Sequence, residues 1–270
     1  MFPPQDPPQI TTLPDPHRDF IESSVPRLKN DSRIFGVAVG GSYLLDEIDE
    51  FSDLDLVVYI DPQHYQAVLS ERPKIVQKIG TLLESFTGEH VGEPRLLICL
   101  FGPPLLHIDF KFVSMDDIDD KVENPIVLWE RGDVISSQVN LKVSEFPQPD
   151  AAWIEKRFWT WIHYTATKIG RGEIFEAVDA IGFLRVNVLG PIILNQNGAR
   201  PQGLRKLEQH ASQEELKILR RTLPVYDARD CLRALHESVE LYNTIREAPV
   251  NQGIEKLVVE YLSQIESQLN

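Results

Sequence analysis

Residues 36–60, GVAVGGSYLLDEIDEFSDLDLVVYI, constrain the fold more than any other stretch. Two apolar runs, Ile34–Val39 and Leu54–Ile60, are rich in β-branched residues and bounded by Gly or acidic clusters, so both read as strands. Side chains alternate along a strand, which turns Asp53 and Asp55 to one face and Leu54, Leu56, Val58 and Ile60 to the other. A core therefore holds two carboxylates side by side. Hard cations such as magnesium take oxygen ligands of this kind and bridge them to substrate phosphates. Gly40-Gly41-Ser42 supplies the complement: glycines admit a polyphosphate close to the backbone, exposed N–H groups can cradle its oxygens, and the Ser42 hydroxyl adds a donor.

A third acid comes later. Leu105–Val113, LLHIDFKFV, alternates, with Ile108, Phe110 and Phe112 on one face and His107, Asp109 and Lys111 on the other. Asp109 is either a third site carboxylate or the partner of Lys111 or His107 on a solvated face.

The order GGS, spacer, SDLDL, apolar strand resembles the signature of the DNA polymerase beta-like nucleotidyltransferase superfamily, and within it the antibiotic (aminoglycoside and lincosamide) adenylyltransferases. The resemblance implies an α+β fold: a nucleotidyltransferase palm with a mixed β-sheet and flanking helices, followed by a C-terminal helical bundle. It implies Mg2+-dependent transfer of a nucleoside monophosphate, AMP from ATP, to a hydroxyl of a small acceptor, with pyrophosphate released. Asp53, Asp55 and Asp109 would be the catalytic and metal-binding acids, and Gly40, Gly41 and Ser42 would hold the nucleotide. In the resembled enzymes a lysine of the helical half reaches the triphosphate. Lys168 is the positional match, with Arg171 as fallback, although a lysine in the last turn of a helix also complements the helix dipole. The chain departs from the pattern after Ser42: Tyr43-Leu44-Leu45 replaces a basic residue, and Asp46 stands where a glycine often lies.

Along the rest of the first half, residues 17–29 read as a helix that Pro26 ends or kinks, and Asp61-Pro62 as the start of a helix running to about Phe86, interrupted near Pro73. Thr87–Pro94 reads as a loop, Arg95–Phe101 as a strand, Ser114–Lys121 as an acidic turn, and Pro125–Ile135 as a short strand or two. Ser144–Asp150, SEFPQPD, is a linker by composition. The expected organisation is a Pro-rich arm over 1–16, a nucleotidyltransferase domain over 17–147 and a helical bundle over 148–270. In the bundle, Asp150 caps a helix to about Ile169, Glu173–Asn195 forms a second that Pro191 kinks or breaks, and three more follow over 213–221, 227–247 and 252–269. Glu176 and Asp179, three apart on one helix, are candidate acceptor contacts, or acids that complement the helix N-terminus.

The net charge is −14 and the pI about 4.9. Polyanion binding needs basic surface, so a nucleic-acid partner is not expected, and a cationic small acceptor is. No apolar run reads as a bilayer span, because Arg185 and Asn187 interrupt the longest, and no signal peptide is legible. Cys99 and Cys231 sit in apolar patterns and read as buried thiols, consistent with a cytoplasmic setting. Two alternatives stand beside the main reading. One is a protein-modifying nucleotidyltransferase. The other is a non-catalytic nucleotide-binding or toxin–antitoxin-type module, in which Arg157 and His163 match the loose spacing of HEPN ribonucleases.

Overall fold

The computed structural model describes residues 12–139, 141, 144, 146–248 and 252–269. Most of the Pro-rich arm lies outside that set. The chain divides into two compact units, Met1–Phe146 and Pro147–Asn270.

The first unit is built on one six-stranded sheet. In chain order it comprises α1 (Asp15–Leu28), β1 (Ile34–Val39), β2 (Leu54–Ile60), α2 (Tyr65–Val76), β3 (Leu82–Gly88), β4 (Glu93–Phe101), β5 (Leu106–Ser114), β6 (Ile126–Glu130) and the short α3 (Ser136–Val139). The strand order is β3-β4-β5-β2-β1-β6. Only β2 and β5 run parallel; the other neighbours are antiparallel, so the sheet is mixed. One face is apolar throughout. Leu54, Leu56, Val58, Ile60, Ile108, Phe110 and Phe112 are buried there with Ile21 and Leu28 of α1 and Val68 and Val76 of α2. Burying one Leu, Ile or Phe side chain contributes about 1.5–3 kcal/mol, so this face fixes the strands' register. On the opposite face Ala38, Tyr59 and Val113 of the strands pack in a smaller cluster with Ile118, Ile135 and Val139. By alternation along β2 and β5, Asp55 and Asp109 lie on this second face.

The helix expected from Asp61 to about Phe86 is shorter. The Asp61 carboxylate accepts from the Gln63 N–H, but α2 ends at Val76 and residues 82–88 form β3. Leu82, Leu83 and Phe86 fit a short helix or a strand equally well. The antiparallel partner β4 decides, by pairing from Leu82↔Phe101 through Gly88↔Glu93. Helix α1 begins at Asp15 rather than 17 and continues past Pro26 to Leu28.

The second unit is helical: α4 (Ala151–Gly170), α5 (Ile174–Leu184), α6 (Gly190–Gln196), α7 (Leu207–His210), α8 (Gln213–Arg221), α9 (Ala228–Ile245) and α10 (Gln252–Leu269). The Asp150 carboxylate accepts from the Trp153 N–H at 2.9 Å and starts α4. Between α5 and α6, Arg185–Leu189 is one π-helical turn, so of the two outcomes expected at Pro191 the helix shows a local irregularity just before the proline and no break. A wider turn accommodates the proline, which has no N–H to donate. This 23-residue segment is long and apolar enough to cross a bilayer. Here Ala177, Ile181, Leu184, Val188, Leu189 and Ile193 are fully buried in the bundle core with α4 and α9. Its hydrophobicity thus has a use inside the fold. A buried carboxylate, Glu155, ties that core together by accepting from the Trp159 indole at 3.0 Å and the Tyr242 hydroxyl at 2.6 Å.

Candidate active site

The topology gathers residues from four strand ends. Strand β1 runs antiparallel to β2, with Val39 opposite Leu56, so the end of β1 lies beside the start of β2. The Gly40 N–H then donates to the Asp55 carbonyl at 2.9 Å, which extends that pairing into the turn. Because β5 lies parallel to β2, its first half sits beside the same end, and Asp55 pairs directly with Asp109. Strand β6 runs antiparallel to β1 with Ile126 opposite Val39, so the residues just before Ile126 return to the glycine turn.

Asp55 and Asp109 occupy one register position on adjacent strands, flanked by buried leucine, isoleucine and phenylalanine that face the other way. Both are half-buried, and Asp53 is half-buried one residue before β2 begins. The Asp109 carboxylate is also hydrogen-bonded to the His107 ring at 2.9 Å. Lys111 pairs elsewhere, with Glu93 at 2.9 Å. Of the two partners considered for Asp109, the structure selects His107. Cys99, on β4, is buried near Asp109. Burial first, and the Asp109 charge second, push its thiol up to about 12. Cys99 and Cys231 are both free and buried.

The glycine turn is shaped around carboxylates. Gly41 has φ +63°, and a Cβ placed on it would lie 1.9 Å from Asp55 Oδ2. Only glycine combines that backbone with that approach. Residues 41–45 form a 3-10 turn in which Tyr43 is buried in the sheet core, which accounts for the aromatic residue after Ser42. Asp46, at the end of this turn, adopts the left-handed conformation at φ 55°. Asp tolerates that region better than most residues.

One residue of this cluster has no local signal in the sequence. Glu123 approaches the turn from the β6 side, and its Oε1 accepts from the Gly41 N–H at 2.7 Å. Eighty-two positions separate the two residues. Only the β1–β6 pairing brings them together.

Among the described residues no three His, Cys, Asp or Glu side chains converge as a closed metal set. Magnesium does not require one, since it is commonly held by one or two carboxylates with the remaining positions taken by phosphate and water. The all-oxygen pair Asp55 and Asp109, next to a cradle that a Cβ at Gly41 would fill, fits that mode of binding.

The residues expected from the helical half lie in the second unit. The Lys168 ammonium is 2.7 Å from Glu173 Oε2 and over the Tyr164 ring, and the Glu173 contact holds its pKa above the usual lysine value. Arg171 is exposed and 3.7 Å from the same glutamate. Glu176 accepts from the Tyr164 hydroxyl at 2.5 Å, and Asp179 is exposed on the same helix. Within this unit a small cavity of about 10 Å³ lies beside Tyr242 and Arg246, and an open groove of about 330 Å³ beside Trp153 and Pro191. Neither is lined by Glu176 or Asp179. Arg157 stacks on Trp153 at 4.0 Å and His163 on Tyr261 at 4.7 Å, so the two residues of the ribonuclease-like spacing have separate aromatic partners.

Residues 21–102 match the family model described as "Nucleotidyltransferase domain". The matched segment contains Gly40, Gly41, Ser42, Asp53 and Asp55 and stops before Asp109 and Glu123. Residues 21–102, within a unit built on a mixed sheet with flanking helices, are therefore similar to a nucleotidyltransferase domain. Nucleotide transfer is the class of enzyme this match supports. Solved structures it is similar to include an aminoglycoside 6-adenyltransferase from Bacillus subtilis, at 18% identity over 93% of this chain and 97% of that one, with a TM-score of 0.41. Another is a nucleotidyltransferase-like protein from Exiguobacterium sibiricum, at 11% identity over 84% and 74%, TM-score 0.37. A third is a spectinomycin adenyltransferase from Enterococcus faecialis with ATP and spectinomycin, at 9% identity over 93% and 99%, TM-score 0.27. With TM-scores below 0.5, these likenesses add nothing to the family match. No curated protein matches the chain.

Proposed function

We propose that the protein transfers a nucleoside monophosphate, AMP from ATP, to a hydroxyl of a small cationic acceptor, with Mg2+ held by Asp53, Asp55 and Asp109. The observation that carries this reading is the direct pairing of Asp55 with Asp109 across parallel strands, against a turn whose glycine admits the Asp55 carboxylate. Bound magnesium would supply charge neutralisation at the α-phosphate and the leaving oxygen. The chain's own residues do the rest. The backbone N–H of Gly41 and the Ser42 hydroxyl donate to phosphate oxygens and hold the triphosphate along the turn. The acids, fixed on strands rather than loops, keep their geometry without reorganising as charge develops. Asp109, hydrogen-bonded to the His107 ring at 2.9 Å, completes the metal site or takes the acceptor's proton. Lys168 is the proposed cation for the departing pyrophosphate, and to serve it would exchange its Glu173 partner for phosphate.

The acceptor class follows from charge. The chain is −14 overall, and acids at Asp46, Glu47, Asp49 and Glu50 lie in the loop between the glycine turn and Asp53. A negative field at the rim concentrates cations and repels nucleic acid. Glu176 and Asp179 remain proposed acceptor contacts, and an aminoglycoside-like polyamine is the compound class they suit.

The test is pyrophosphate release with each nucleoside triphosphate, Mg2+ and a panel of aminoglycosides and lincosamides. The expected result is acceptor-dependent release with ATP that drops at least a hundredfold in Asp55→Asn. Release unaffected by that substitution, or none with any acceptor, would defeat the proposal.

A further inference from the structure

The glycine turn already holds an anion. Glu123 Oε1 accepts from the Gly41 N–H at 2.7 Å, in a charge-assisted bond of a carboxylate to a backbone donor. The turn is built to admit it, since a Cβ on Gly40 would lie 2.7 Å from that same oxygen. Gly40 and Gly41 therefore each make room for a carboxylate, Gly40 for Glu123 and Gly41 for Asp55. The two acids have different functions there. Asp55 sits in register with Asp109 and faces the cation position. Glu123 Oε1 instead accepts from the Gly41 N–H, a donor proposed above for a phosphate oxygen.

We infer that Glu123 is an internal stand-in for a phosphate oxygen of the nucleotide, and that the nucleoside triphosphate must displace it to bind. The inference rests on the proposed nucleotide role of Gly40 and Gly41. Its physical content is competition. One N–H cannot donate fully to both a carboxylate and a phosphate, and a carboxylate left beside the turn repels the incoming polyanion. Glu123 belongs to the segment that crosses from β5 to β6 and is followed by Asn124 and Pro125, which lead into the β6 strand at Ile126. Glu123 lies on neither β1 nor β2, so releasing the Gly41 N–H moves no strand of that pair. An empty site stays closed to weakly bound anions such as free phosphate, whose few contacts do not outweigh the internal carboxylate. A triphosphate with its metal makes enough contacts to do so.

A hydrogen bond to a charged group is worth about 1.5–3 kcal/mol, which as an internal competitor corresponds to roughly a ten- to hundredfold weakening. The experiment is equilibrium binding of a fluorescent, non-hydrolysable ATP analogue with Mg2+ to wild type, Glu123→Gln and Glu123→Ala, with thermal melting run on each. Binding at least about tenfold tighter in Glu123→Ala, with Glu123→Gln tightened in the same direction, supports the inference. A wild type that binds with affinity unchanged or lost in both variants overturns the inference and leaves the nucleotide site standing. If neither wild type nor variants bind any nucleotide, the nucleotide reading fails and this inference fails with it. Loss of folding in Glu123→Ala shows in the melt, and the near-isosteric Glu123→Gln then decides.

Discussion

Gly41→Ala tests the turn most sharply, because the structure sets both parts of its cost. The residue has φ +63°, where an L side chain is strained by about 1–2 kcal/mol. Its new Cβ would lie 1.9 Å from Asp55 Oδ2, 2.8 Å from Asp55 Cγ and 3.3 Å from Asp55 Cβ. No small adjustment relieves a 1.9 Å contact, so the Asp55 carboxylate must leave its rotamer, at about 0.5–1.5 kcal/mol. The sum is roughly 1.5–3.5 kcal/mol in a unit of 146 residues, a fall in melting temperature of roughly 3–14 °C. The functional effect is larger than the structural one. A displacement of an ångström at a reacting centre costs about a hundredfold in rate, and here the displaced group is one of the acids proposed to hold the metal. Gly40→Ala is the matched control. Its backbone, φ −126° and ψ −154°, is open to any residue, and its Cβ meets only the far end of Glu123. The melt of Gly40→Ala should stay within about 2 °C of wild type. Differential scanning calorimetry and pyrophosphate release on both variants separate the outcomes. A Gly41→Ala protein with wild-type melting and turnover would refute the claim that Asp55 is packed against the turn for catalysis.

Two further predictions concern stability. Glu93 is held down to about 2, chiefly by the hydrogen bonds of Arg95 and then by Lys111, against burial that pushes it up. A carboxylate depressed in the folded state contributes stability above its unfolded pKa of about 4.3 and loses it as pH falls toward 2. Urea titrations should therefore show Glu93→Gln less stable than wild type by about 1–2 kcal/mol at pH 7, allowing for solvent screening, with the gap closing by pH 2–3. In the bundle, Tyr242→Phe removes a hydroxyl donor to the buried Glu155 and should cost about 1–3 kcal/mol at neutral pH without altering nucleotide binding.

Much of this was legible because alternation is local. Asp53 and Asp55 between buried leucines, and Asp109 between Ile108 and Phe110, announce a half-buried strand each, and Asp150 announces the start of α4. What local pattern does not carry is pairing. That β2 and β5 run parallel with Asp55 against Asp109 depends on the crossover between them, which residues 61–105 do not encode by periodicity. The same limit hid β3: LLESFTG has no decisive period, and its strand conformation comes from β4. Glu123 was missed for the most physical reason of all. An acid in the sequence KVENP is indistinguishable from a solvated one until β6 pairs with β1. In the bundle, Lys168 read as a phosphate ligand or a helix-end cation, and its observed partner Glu173 is the kind of contact the second reading anticipates.

The central claim is that Asp55 and Asp109 jointly hold a divalent cation with a nucleotide's phosphates. Manganese substitutes for magnesium at oxygen sites and is visible by electron paramagnetic resonance. Titration of Mn2+ into the protein should show weak binding alone and at least tenfold tighter binding with a non-hydrolysable ATP analogue, a gain lost in Asp109→Asn. Nucleotide-dependent binding that is unchanged in Asp109→Asn would contradict the claim.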